Sequence, residues 1–151
     1  MTELLSPEAP AFLPATTHAY LLRAADSLAE ALDADDTPSR YAFAHVAALQ
    51  AAAALLAARS RPALPPAGRR RPQRNAWVLL ADVAPELAEW AAFFAAGAAK
   101  RAAAEAGSTR AVTDDEALGL VRDADRFLGI VERSLGLVPH SQLVAADREV
   151  G

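Results

Sequence analysis

Apolar residues recur every three to four positions over most of this chain, and the alternating pattern of a half-buried strand is absent. From about Thr16 or Thr17 to Asp33, Leu21, Leu22, Ala25, Leu28, Ala29 and Leu32 fall at helical spacing, with Arg23, Asp26 and Glu30 opposite them. The acids Asp33 to Asp36 then break the pattern. Thr37 offers a cap and Pro38 suits a first helical turn, so a second helix is predicted to about Arg59. Its apolar wall is Tyr41, Ala44, Ala48, Ala51, Leu55 and Leu56.

Prolines 62, 65 and 66 with Gly68 impose a loop through about Gln73. Asn75 can cap a third helix through Trp77, Val78, Leu79 and Leu80, and Pro85 should kink or restart it, because proline lacks an amide hydrogen and clashes with the preceding turn. Leu87, Trp90, Ala91, Phe94 and Ala98 carry the helical face onward until Gly107. Thr113-Asp114-Asp115-Glu116 reads as a capping box, with Leu118, Val121, Ala124, Phe127, Leu128, Val131 and Leu135 following and Gly136 as the stop. The expected fold is all-α, an antiparallel bundle of four to five helices, since short links favour antiparallel neighbours. An irregular lead-in over 1–14, the bundle over 15–137 with a Pro/Arg-rich loop at 59–74, and a tail over 138–151 complete the expected organisation.

Composition strengthens the helical reading. Hydrophobic residues make up 53% of the 151 but aromatics only 6%, and alanine, the best helix former, dominates the apolar set. With no cysteine, disulfides, thiolate metal sites and a cysteine nucleophile are excluded. The N-terminus has no basic start and no unbroken apolar core, so it is not a signal peptide. The apolar stretch from Trp90 to Ala99 is bracketed by Glu86, Glu89, Lys100 and Arg101, too tightly for the roughly 20 apolar residues a membrane span needs. The expectation is a cytoplasmic protein with no membrane contact.

Charge is unevenly distributed. Residues 59–74 hold six arginines and no acid, so the remainder carries −10 against a net of −4. Such a segment is either a solvated linker or a polyanion contact, and Arg69, Arg70, Arg71 and Arg74 are its candidate phosphate ligands. Other chemistry is sparse. The glycines form no phosphate-cradling loop, and His18, His45 and His140 lack a second histidine or a carboxylate at the spacing of a zinc helix, so neither metal nor cofactor is expected. The pairs Asp35-Asp36 and Asp114-Asp115 fall at helix starts, where the helix dipole favours acids. Trp77, Trp90, Phe93 and Phe94 have core spacing, with Phe93 and Phe94 aimed in adjacent directions that leave room for a homodimer seam.

One constellation remains, Arg40-Tyr41-Ala42-Phe43-Ala44-His45 at the start of the second helix. Arginine, four residues, then histidine resembles the motif of the HEPN superfamily, small all-helical domains named for nucleotide binding. The surroundings, with Asn75-Ala76-Trp77-Val78-Leu79-Leu80-Ala81 and Glu86-Leu87-Ala88-Glu89-Trp90-Ala91 before Lys100-Arg101, look like small stand-alone HEPN proteins of actinobacterial type over roughly residues 16–137. The resemblance implies a homodimer whose two motifs meet in a cleft and cleave RNA without metal, toxin-like, with an antitoxin or other partner protein. By that analogy His45 moves a proton and Arg40 neutralises charge on the phosphate. Residues five apart are offset by about 140° on a helix, so the pair converges only if Arg40 swings from the helix start. Tyr41 stands where active members often carry a polar residue, and the motif opens the second helix rather than a later one. Three readings follow: an endoribonuclease using Arg40 and His45, a non-catalytic module binding nucleic acid or protein, and a structural partner subunit.

Overall fold

The computed structural model describes residues 12–59, 75–108 and 110–143. Arginines 69, 70, 71 and 74, and most of the proline-rich loop, lie outside them. Among the described residues six helices follow one another: α1 Ala15–Asp33, α2 Thr37–Arg59, α3 Ala76–Val83, α4 Ala88–Ala96, α5 Ala98–Glu105 and α6 Asp114–Ser134, with a 3-10 turn, Pro85–Leu87, between α3 and α4. Among the described residues there is no strand.

The apolar helix α2 is the hub. It packs on α1, α3, α5 and α6, and buries Ala44, Ala47, Ala48, Ala51, Ala52, Ala54 and Leu55. Small side chains on so many sides let several helices approach one axis closely. By length and mean hydropathy, 1.6, α2 is long and apolar enough to cross a membrane, and half of that apolar stretch is buried against its neighbours. Two side chains bind α1 to it in antiparallel sense: Thr17 donates to the Ala54 carbonyl (2.9 Å) and Ser27 to Gln50 (2.7 Å). A hydrogen bond from Thr37 to Asp114 sets the starts of α2 and α6 side by side.

The ends of the helices follow local chemistry. Asn75 caps α3 by accepting the Trp77 amide at 2.8 Å, and Thr113 and Glu116 form the reciprocal capping box of α6. The cap expected of Thr37 falls to Asp36, whose carboxylate accepts the Ser39 amide at 2.8 Å, while the Thr37 hydroxyl is spent on α6. Pro85 opens the 3-10 turn rather than kinking one helix, and Gly97 divides α4 from α5, a break the apolar pattern did not carry. Gly107 and Gly136 end α5 and α6 with φ of +88° and +81°, which an L side chain would resist.

The face of α1 differs from the expected one. It buries Thr17, Ala24, Ser27, Leu28 and Ala31, whereas Leu22 is 68% exposed and Leu32 38% exposed. Thr17 and Ser27 stand on the inner face because each has a partner there, so its polarity costs little.

Candidate functional site

Arg40 stands at the N-terminal end of α2, and its guanidinium turns back to the C-terminal end of α1. Nε donates to the Ala31 carbonyl (3.0 Å) and an η nitrogen to the Ala34 carbonyl (2.8 Å). Both carbonyls lie at the end of α1, where Ala31 otherwise receives only the Ala34 amide at 3.3 Å, and a cation there also favours the negative pole of the helix dipole. Arg40 is therefore a clasp between the first two helices.

His45 goes elsewhere. It is 1% exposed and its Nε2 lies 3.1 Å from the Phe94 carbonyl of α4. A carbonyl only accepts, so Nε2 carries the hydrogen and Nδ1 is the bare acceptor of a neutral ring. Nδ1 is buried without a hydrogen-bond partner. Burial holds the imidazole below its ordinary pKa of 6.5, the Phe94 bond offsetting this only in part and the Arg101 charge adding to it. The ring packs at right angles to Trp77 and to Phe94, each with centroids 6.1 Å away, within an aromatic cluster that continues through Phe127 and Trp90. Guanidinium and imidazole thus end on different helices, α1 and α4.

The helix repeat explains which residue does accompany His45. Four positions apart share a face, five do not, so Tyr41 rather than Arg40 lies beside the histidine. Tyr41, His45, Phe93, Phe94, Gly97 and Lys100 line a cleft of about 280 Å³ where α2, α4, α5 and α6 meet. Gly97 keeps it open: a Cβ there would stand 3.1 Å from the Tyr41 hydroxyl and 3.9 Å from His45 Cδ2. Because the Cδ2 edge faces Gly97, Nδ1 on the other side of the ring faces away from it. Lys100 at the rim is paired with Glu116 at 2.6 Å, and burial raises the Tyr41 phenol above its usual value of 10.0.

A second histidine cluster escaped the sequence reading. His140 places Nδ1 2.7 Å from Glu132 and Nε2 2.6 Å from the buried Asp125, and its backbone amide donates to Glu132 at 2.8 Å. The available signal was the seven-residue spacing of Asp125 and Glu132, two turns along one face of α6, with a histidine just beyond the Gly136 stop. Burial opposes the imidazolium, but the bonds to Asp125 and Glu132 and their charges outweigh it and raise the pKa above 6.5. Both ring nitrogens are occupied, so the cluster is a clamp holding the segment after α6 and offers no free base.

An all-helical bundle with arginine and histidine opening a long helix defines a HEPN-type domain. The chain belongs to a HEPN family, the one described as SAV_6107-like HEPN, whose model matches residues 31–132. No curated protein and no solved structure matches it.

Proposed function

We propose that this protein is a non-catalytic HEPN-like RNA-binding module of the cytoplasm, acting as a homodimer, with residues 15–137 as its functional unit. One observation carries the reading: the arginine and the histidine of the motif are both consumed by internal partners, Ala31 and Ala34 for Arg40 and Phe94 for His45. A general base needs an accessible lone pair, and the lone pair of His45 is sealed away from solvent. The nucleic-acid part rests on the family's nucleotide-binding theme and on six arginines with no acid over residues 59–74. Arginine without interleaved aromatics suits contact with the phosphate chain rather than base stacking.

A second reading, metal-independent endoribonuclease, is favoured by the cleft that His45 lines with Tyr41 and Lys100. One experiment separates the two. Labelled RNA is incubated with the wild type in EDTA, beside Arg40→Lys, His45→Gln and a variant with serine at Arg69, Arg70, Arg71 and Arg74. Retention of intact RNA, kept in the two motif variants and lost in the serine variant, is the expected result. Chelator-resistant cleavage abolished by Arg40→Lys and by His45→Gln would establish the nuclease instead. If the wild type neither retains nor cuts RNA, a protein partner such as an antitoxin becomes the object of search.

A further inference from the structure

Beside α4 and α6 lies a recess of about 350 Å³, lined by Glu89, Trp90, Phe93 and Asp123. Its two rings stand at 90° to one another, centroids 6.4 Å apart, and so form a corner. Trp90 is fixed by stacking on Phe94 and leaning on Phe127, whereas Phe93 is 48% exposed. Two acids complete the walls from different helices. Glu89 forms no ion pair with any described residue; the charge of Arg122 acts on Asp123, which also has Arg126 at 3.9 Å. That separation is well beyond the roughly 2.7–2.9 Å of a charge-assisted hydrogen bond. The recess therefore combines aromatic faces, which attract cations through their quadrupoles, with two carboxyl groups that no described residue holds in a close ion pair.

We propose that this corner is a binding site for an organic cation, the primary ammonium of a lysine side chain or of a polyamine. The alkyl stem would lie along Trp90 and Phe93 while the ammonium meets Glu89 and Asp123. An RNA phosphate is repelled here, so this site is independent of the RNA reading.

The full chain is titrated with spermidine and with a tetralysine peptide at about 0.15 M salt, where long-range surface attraction is screened. Tryptophan fluorescence is the readout. A saturable change is expected that weakens about tenfold or more in Glu89→Gln/Asp123→Asn, disappears in Trp90→Phe and is unchanged in Glu30→Gln on α1. Unaltered melting by circular dichroism confirms that the double variant is folded, and Phe93→Ala supplies a second test should it not be. Tighter binding of spermidine assigns the site to free amines, and tighter binding of the peptide assigns it to a lysine-bearing partner. No saturable change with either probe, or equal binding by wild type and the double variant, overturns the proposal.

Discussion

At the scale of single residues, the Arg–His pair shows how spacing and role part company. A guanidinium is planar and presents several donors, so Arg40 reaches the Ala31 and Ala34 carbonyls at once. Arg40→Ala should cost about 1–2 kcal/mol, the loss of two hydrogen bonds and a favourable dipole contact, measured by urea unfolding. Arg40→Lys should recover only part of it, since one ammonium cannot span both carbonyls. A fall in stability equal in the two variants would mean that charge alone matters at this position. Neither variant should alter RNA retention. The candidate pair was legible as a pattern, but its role was not, because the partners that occupy it come from α1 and α4. Tyr41, part of the apolar wall expected of the second helix, is 6% exposed at the wall of the cleft.

At the scale of elements, what could be read was whatever depends on a few adjacent residues. The Asn75 cap, the Thr113 capping box and the Gly136 stop all involve contacts within one turn, and all form. The buried face of α1 is turned from the expected Leu21, Leu22, Ala25, Leu28, Ala29 and Leu32, of which Leu28 alone is fully buried. The close approach of α2 instead favours Ala24 and Ala31 inside, leaving Leu22 exposed. Gly97 is the opposite case, a break whose reason lies across the interface in Tyr41. Ala at 97 brings a Cβ within 3.1 Å of the phenolic oxygen, so Gly97→Ala should destabilise by about 1 kcal/mol, as crowding of a packed site does. Tyr41→Phe removes that oxygen, for which no hydrogen-bond partner exists among the described residues, and should be nearly neutral alone. The double variant should then be more stable than Gly97→Ala by most of the difference, a coupling that a double-mutant cycle in thermal melts measures directly. Additive effects would show that the two positions do not meet.

At the scale of the whole molecule, a buried histidine and a half-buried one set opposing limits on the pH range of the fold. His45 has a folded-state pKa below 6.5, so as acidity rises the unfolded chain gains a proton that the folded one refuses. Its contribution is present above 6.5 and is lost as pH falls from there toward the folded value. His140 has a folded-state pKa above 6.5, held by Asp125 and Glu132. Its contribution is full below 6.5 and is lost as pH rises through the folded value. Stability should therefore peak between the two transitions. His45→Gln should flatten the acidic limb between 6.5 and the folded value, and His140→Asn the alkaline limb above 6.5. The two limbs report on different parts of the molecule. His45 packs on Trp77 and Phe94, which in turn meets Phe127, so its protonation opposes the entire core, and the acidic limb should appear in global unfolding. His140 pins only the segment after α6, so the alkaline limb should appear first as faster amide exchange over residues 135–143. Exchange that accelerates evenly through α6 and α2 instead would make the clamp part of the core rather than a fastening on its edge.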